Sequence, residues 1–80
     1  MKVKILAFGI AKDILGSRQM TLEIADHSNV GELKEHLISR FQEFASLRSL
    51  ALAVNREYVD DELVLSADDE VVIIPPVSGG

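Results

Sequence analysis

The chain ends in two consecutive glycines, and this end is where its residues could do chemistry. Without side chains, Gly79 and Gly80 leave the segment Val77-Ser78-Gly79-Gly80 thin, and their backbones can adopt angles that other residues avoid. Such a segment could thread a narrow channel and present a terminal carboxylate to a reactive group inside another protein. The alternative is an ordinary frayed terminus, since most chain ends are poorly ordered.

The residues before this tail favour the first interpretation. Ile73-Ile74 closes an apolar run, and Pro75-Pro76 cannot continue a sheet ladder through their nitrogens. The fixed φ angles of the prolines also reduce the entropy lost when a tail docks, so they are expected to aim the tail as well as to end the strand. The sequence predicts one domain over residues 1–80, with a globular body (1–76) and a flexible functional tail (77–80).

The composition excludes several other classes of function. Eighty residues allow one domain, and 48% hydrophobic with 26% charged residues is typical of a globular chain. A net charge of -5 argues against nucleic acid as a partner, because phosphate binding needs clustered Lys and Arg. The chain has no cysteine, so it offers no disulfide, thiolate metal site or thiol catalysis. With no signal peptide and no membrane-length apolar stretch, a cytoplasmic location away from membranes is expected.

Alternating apolar and polar residues predict two N-terminal strands and then a helix. The first strand places Val3, Ile5 and Ala7 on one face, and residues 18–24 alternate again after a helical turn that Gly16 ends. Asn29 is a good helix N-cap, with Glu32 three residues later in a capping-box pattern. The apolar stripe of this helix follows steps of three and four and consists of Val30, Leu33, Leu37, Phe41 and Phe44.

The second half returns to strands. An apolar run over 50–54, a turn at 55–57 and a last strand over 70–74 are predicted, with an apolar return at 63–65 between polar turns. Two strands, one helix and further strands indicate an α+β fold, in which one main helix packs on one face of a mixed sheet. A right-handed crossover is expected through that helix.

One helix can cover only one face of such a sheet. The first strand also carries Leu6 and Phe8 opposite its core residues, and the last strand is apolar on both faces. An apolar patch on the uncovered face, joined by Tyr58 from the neighbouring hairpin, predicts a partner-binding site beside the strand that leads into the tail. The alternatives are loops that fold back over the patch, or scattered surface hydrophobic residues.

A resemblance to a known family is carried by two runs of the sequence. The first is LAVNREY, from Leu52 to Tyr58, and the second is DEVVIIPPVSGG, from Asp69 to Gly80. Both are similar to the small subunit of molybdopterin synthase, a family of ubiquitin-like sulfur carriers with the β-grasp fold. The resemblance covers essentially the whole chain, and the terminal PPVSGG is its most specific part. Two departures are Asp68, where the family usually has Gly, and Gly9, which replaces a common Ala.

The resemblance implies a role as cosubstrate and subunit, not as an enzyme acting alone. An E1-like adenylating enzyme would use ATP to convert the Gly80 carboxylate into an acyl adenylate. A sulfur donor protein would then displace AMP and leave a C-terminal thiocarboxylate on Gly80. The tail would insert into the large subunit and deliver sulfur to a cyclic pyranopterin phosphate, generating the dithiolene of molybdopterin. The chain itself would bind no cofactor or metal, in a heterotetramer of two small and two large subunits.

Roles for individual residues follow from this resemblance. Gly80 would carry the sulfur and Gly79 would keep the approach slim, with Val77 and Ser78 completing the inserted tail. The remaining partner-binding residues would be the prolines that aim the tail and three apolar contacts with the large subunit, namely Pro75, Pro76, Phe8, Tyr58 and Ile74.

Other candidate sites are weaker. His27 and His36 lack matching ligands, and the acidic groups at 60–62 and 68–70 lack the spacing of a calcium loop, so both sets are interpreted as surface residues. None of the serines has an evident base to activate it. Two rivals share the fold and tail: the sulfur carrier of thiamine thiazole synthesis, and a ubiquitin-like modifier joined to lysines through Gly80. A pure binding module with an incidental tail is the third alternative.

Overall fold

The sheet predicted from the sequence is present and mixed. A computed structural model describes residues 1–46 and 50–74. Its five strands are β1 (Lys2–Ala7), β2 (Gln19–Glu23), β3 (Ala51–Val54), β4 (Glu57–Tyr58) and β5 (Glu70–Ile74). They lie in the order β2-β1-β5-β3-β4, with β1 and β5 parallel at the centre and the other neighbours antiparallel. The predicted α+β class is confirmed.

The main helix, α2 (Val30–Arg40), begins where the capping box predicted it. The side chain of Asn29 accepts a hydrogen bond from the Glu32 N–H at 2.8 Å, and the Glu32 carboxylate accepts one from the Asn29 N–H at 3.0 Å. Two further N–H groups, of Val30 and Gly31, donate to the carbonyls of Leu63 and Asp61 at 2.9 Å each. The first turn of α2 is therefore satisfied by its cap and by the loop that follows β4.

The predicted continuation of this helix to Phe44 is wrong, because the helix ends at Arg40. Phe41 leaves the helical region with φ -125° and ψ 87°, and Phe44 lies on a separate 3₁₀ helix, Gln42–Ser46. Phe44 is nevertheless only 1% exposed, and its ring meets that of Phe41 edge to face at 6.2 Å between centroids. The break turns the chain but keeps the Phe44 side chain in the core. The prediction had placed Phe44 in the core as part of a continuous helix.

The first helix, α1 (Gly9–Leu15), is longer than the single turn predicted before Gly16. It ends as predicted at Gly16, which adopts the left-handed φ of 77° that glycine tolerates without strain. Among the described residues no helix is long and apolar enough to cross a membrane.

The apolar return predicted at 63–65 is not a strand. Val64 makes one isolated bridge to Asn29 and is exposed, whereas Leu65 is buried. The segment instead lies beside the start of α2, where the Leu63 carbonyl accepts from the Val30 N–H and the Leu65 N–H donates to the Ser28 carbonyl.

The core lies between α2 and one face of the sheet. Val3, Ile5 and Ala7 of β1 point to this face, as predicted, and so do the alternate residues of β5. The side chains buried here on the two central strands and on α2 are Val3, Ile5, Ala7, Val71, Ile73, Val30, Leu33 and Leu37. The opposite face of the sheet has no helix over it among the described elements, and it carries the candidate site.

Candidate functional site

A row of apolar side chains crosses the uncovered face of the sheet. Strand register places Leu6 opposite Val72, Val72 opposite Ala53, and Ala53 opposite Tyr58. Adjacent strands are about 4.8 Å apart, so the row spans roughly 14 Å from β1 to β4. Tyr58, at its end, is 77% exposed. The apolar patch predicted on this face is therefore present, and we call it the apolar face.

Two further residues extend the apolar face toward the carboxyl end of β5. Ile74 is half-buried and lies opposite Ala51 of β3. Phe8 follows β1 directly in an extended conformation, as the N-cap of α1, and is 53% exposed. The structure thus places all three predicted contact residues, Phe8, Tyr58 and Ile74, on or beside one surface.

The other end of the uncovered face is charged. Lys2 lies opposite Glu23, and Lys4 lies opposite Glu70 in the adjacent strand. These pairs stand near the start of β1 and β5, whereas the apolar face lies near their ends. The uncovered face therefore offers a hydrophobic patch with a polar border on one side, which is typical of a protein–protein interface.

Tyr58 is positioned by a tight hairpin that is tied to β5. The two turn residues, Asn55 and Arg56, both have positive φ angles, 51° and 73°, as required in two-residue hairpins of the common mirror-image type. The Asn55 side chain donates to Asp69 at 3.1 Å and accepts from the Glu70 N–H at 3.1 Å, while its own N–H donates to the Glu70 carbonyl at 2.8 Å. The hairpin end is therefore fixed to the beginning of the central strand.

The turn before β5 accommodates the departure noted at position 68. Asp68 adopts a φ of 68°, a conformation that favours glycine, although Asp tolerates it better than most residues. Next to it, the Asp69 carboxylate accepts from the Ser66 N–H at 2.8 Å. Asp69 and Glu70 therefore help to form the turn and the start of β5.

Sequence reasoning missed the part played by two alanines. Ala53 is on the apolar face yet only 7% exposed, because it lies between the larger side chains of Val72 and Tyr58. Because Ala51 and Ala53 have short side chains, β3 forms a shallow strip in this surface. The apolar run at 50–54 does not show which face of the sheet these alanines occupy. The strand register does show it.

The central strand leads into the tail. Ile74, at the end of β5, is the last described residue, and Pro75 through Gly80 lie outside the described residues. Six residues span at most about 20 Å when fully extended. Any group that Gly80 reaches must therefore lie within about 20 Å of the end of β5.

The remaining polar groups of the described residues either have structural partners or lie in surroundings that do not suggest a catalytic or metal site. His27 and His36 are exposed, and no group of three or more His, Cys, Asp or Glu among residues 1–46 and 50–74 could hold a metal ion. Asp61 pairs with Lys34 at 2.7 Å. The N-terminal ammonium group, 3.0 Å away, lowers the pKa of Asp26 by hydrogen bonding and by its charge.

Comparison with known proteins gives the family. The model of the ThiS family matches residues 5–80, which includes the tail. The chain belongs to this family. It is similar to the molybdopterin synthase sulfur carrier subunit of Arabidopsis thaliana, at 33% identity over 100% of this chain and 84% of that protein. The resemblance stated from the sequence is therefore confirmed.

Two solved structures place the fold in the same group. A putative molybdopterin converting factor subunit 1 from Pyrococcus furiosus superimposes with a TM-score of 0.88 at 26% identity, over 96% of this chain and 99% of that one. A complex of subunits 1 and 2 of the molybdopterin-converting factor from Helicobacter pylori matches with a TM-score of 0.69 at 25% identity, over 100% of both chains. The β-grasp fold expected from the resemblance is confirmed.

Proposed function

We propose that this chain is the sulfur carrier subunit of molybdopterin synthase. One structural observation supports this most directly: the central strand β5 ends at Ile74, beside an exposed apolar face, six residues before Gly80. The arrangement separates a surface that can bind a partner from a slim end that can enter it. The identity of about a third to the sulfur carrier subunit of Arabidopsis thaliana supports the choice of reaction.

The chemistry begins at the Gly80 carboxylate. A carboxylate oxygen attacks the α-phosphorus of ATP on an adenylating enzyme, and pyrophosphate leaves. The acyl adenylate is a good electrophile because AMP is a good leaving group. A donor sulfur at the oxidation level of sulfide then replaces AMP, which leaves a thiocarboxylate on Gly80. The chain binds no cofactor of its own in this scheme, since ATP belongs to the activating enzyme.

Transfer takes place inside the large subunit. The thiocarboxylate sulfur displaces an oxygen from a carbon of the cyclic pyranopterin phosphate, and that oxygen leaves as the opened phosphate ester or as water. Water then cleaves the bond between that sulfur and the carbonyl carbon of Gly80, which regenerates the carboxylate. Because a dithiolene holds two sulfur atoms and each chain end carries one, each product molecule consumes two loaded chain ends. An assembly of two small and two large subunits would accommodate this requirement.

Recognition is assigned to the apolar face. Phe8, Tyr58 and Ile74 would contact the large subunit, while Pro75 and Pro76 direct the tail toward its active site. Large exposed aromatic side chains are frequent binding hot spots, and Tyr58 is the most exposed of the large apolar residues described. Val77 and Ser78 would complete the inserted tail, and Gly79 would keep it slim.

A transfer assay with a chemically loaded chain tests this proposal without relying on the activating enzyme. The chain is prepared with a C-terminal thiocarboxylate and mixed with a purified large subunit and cyclic pyranopterin phosphate. We expect mass spectrometry to detect a dithiolene product. The matched control is the same chain with an ordinary carboxylate at Gly80, which should give none.

The outcomes distinguish the rival functions. No dithiolene from the loaded chain, with a large subunit that accepts another carrier, would contradict the proposal. Sulfur appearing instead in a thiazole, when a thiazole synthase is supplied, would assign the chain to thiamine synthesis. Branched Gly-Gly remnants on lysines of other proteins would indicate a modifier.

A further inference from the structure

The free edge of β2 carries backbone groups that β1 does not use. Met1 and Ile24 exchange both of their backbone hydrogen bonds, and the Ala7 N–H donates to the Arg18 carbonyl. In an antiparallel pair such bonded positions alternate with positions that point away. On β2, the residues whose N–H and C=O groups point outward are therefore Gln19, Thr21 and Glu23.

Serine side chains close both ends of this edge. The Ser17 hydroxyl donates to the Gln19 carbonyl at 2.7 Å and accepts from the Gln19 N–H at 3.3 Å. At the other end, the Ser28 hydroxyl and N–H both donate to the Ala25 carbonyl, at 2.6 and 3.2 Å. Within residues 1–46 and 50–74 no hydrogen bond occupies the outward groups of Thr21 and Glu23. The edge thus keeps two N–H donors and two C=O acceptors, those of Thr21 and Glu23, without a partner in the described part of the chain, and we call these four groups the window.

A groove runs beside this window on the helix side of the sheet. It has a volume of about 470 Å³ and lies between the end of β2 and α2. Its floor includes Ile24 and Leu33, and the titratable residues that α2 contributes to its lining are two carboxylates and one imidazole, namely Glu32, Glu35 and His36. The nearest lysine of α2, Lys34, is held by Asp61 and does not line the groove.

We propose that the β2 edge binds an extended peptide segment of a partner protein that carries lysine or arginine at alternate positions. The segment would add a sixth strand by bonding to the backbone of Thr21 and Glu23. This mode of recognition takes its affinity from main-chain hydrogen bonds and its specificity from alternate side chains. The site is independent of the sulfur carrier function proposed above.

Charge also selects the orientation of the bound segment. Residues opposite Leu22 would point toward α2, where Glu32 and Glu35 line the groove. Residues on the other face would lie beside Thr21 and Glu23, where Lys4 and Lys2 of the next strand offset the acidic charge. The basic side chains of the partner therefore belong on the groove side, and small apolar or polar side chains belong on the other.

The same charges argue against a second copy of the chain as the occupant. Two β2 strands could pair about Leu22, with Thr21 of each chain opposite Glu23 of the other. That pairing would bring two acidic grooves together, and like charges in close juxtaposition disfavour association. A basic partner strand removes this repulsion, while the apolar face and the tail stay free. The chain could then be held by one protein while its end reacts in another.

The test uses the full chain labelled with nitrogen-15 and two acetylated heptapeptides, one alternating lysine with valine and one alternating glutamate with valine. We expect the lysine peptide to shift the amide resonances of Thr21 and Glu23 and to slow their hydrogen exchange. The glutamate peptide should do neither. Equal effects of the two peptides, or lysine-peptide shifts centred on Phe8 and Tyr58, would overturn the proposal. So would protection that grows with chain concentration without peptide, since it would indicate self-association.

Variants sharpen the test. Thr21→Pro removes an outward N–H that β1 does not use, and proline is tolerated on edge strands in that position. It should abolish the protection at Glu23. Glu35→Lys should weaken binding of the lysine peptide roughly fivefold. The control Glu57→Lys makes the same charge change at the opposite edge of the sheet and should have no effect. Unchanged affinity in Glu35→Lys would contradict the proposal even if Thr21→Pro does not fold.

Discussion

The two faces of the central sheet bury apolar residues from the same strands to different extents. On the covered face, Ile5 and Val71 are fully buried beneath α2. On the other face, their sequence neighbours Leu6 and Val72 remain half-buried, and Tyr58 stands almost free. One face supplies the burial that stabilises a small domain, and the other is available for a partner. Changes at adjacent positions should therefore affect either folding or binding.

The largest effect is expected at Gly80, which belongs to neither face. Deletion of Gly80, or Gly80→Ala, should abolish sulfur transfer, because deletion moves the terminal carboxylate back by one residue and the Cβ of alanine obstructs the channel or adenylation. Both faces should be unaffected, so thermal unfolding should match that of the parent chain. Normal sulfur transfer by either variant would show that the tail does not carry the chemistry.

Neighbouring residues on β1 provide a direct test of the two faces. Ile5→Ala opens a cavity under α2 and should lower the free energy of unfolding by about 3 kcal/mol, measured by urea denaturation. Leu6→Ala removes a half-buried side chain and should cost about 1 kcal/mol or less. Similar losses in the two variants would mean that the uncovered face is also part of the folding core.

The exposed end of the apolar face should show the converse behaviour. Tyr58→Ala should weaken binding to the large subunit roughly thirtyfold, as expected for an aromatic hot spot, and change stability by no more than about 0.5 kcal/mol. Calorimetric titration with the large subunit measures the first quantity. The adjacent Glu57→Gln, on the same strand but opposite Val54, is the matched control. Equal affinities of Tyr58→Ala and the control would remove Tyr58 from the interface.

The smallest effect is expected at the turn that begins β5. Asp68→Gly relieves the positive φ of Asp68 and should raise the free energy of unfolding by up to about 1 kcal/mol, less the entropy that glycine adds to the unfolded chain. Binding to the large subunit should not change. A loss of stability would indicate that the Asp68 side chain contributes to the turn.

Local signals in the sequence predicted local structure well. Asn29 and Glu32 form the capping box that their spacing indicated, and Gly16 ends α1 in the left-handed conformation. The helix end was predicted less well. Phe41 and Phe44 keep helical spacing, and no Gly or Pro lies between Arg40 and Phe44 to indicate a break. Burial of Phe44 through a 3₁₀ helix is a tertiary preference that a periodic pattern does not contain.

The pairing of strands that are distant in the sequence could not be predicted from local patterns either. The pairing of β1 with β5 follows from the complete chain path, so the row from Leu6 to Tyr58 could be expected only as a patch. Ala53 is recognised as a residue of the apolar face only once its two neighbours on β4 and β5 are known. Phe8, Tyr58 and Ile74 were placed on one surface by strand alternation and by the resemblance. The roles of the residues from Pro75 to Gly80 stay predictions.

The most direct test of the central claim is the intact mass of the chain after incubation with ATP, an adenylating enzyme and a sulfur donor. The account predicts a mass gain equal to the exchange of one oxygen for one sulfur, in the parent chain and in Tyr58→Ala when the enzyme is in excess, but not after deletion of Gly80. An unchanged mass of the parent chain, with an enzyme that loads another carrier, would contradict the account.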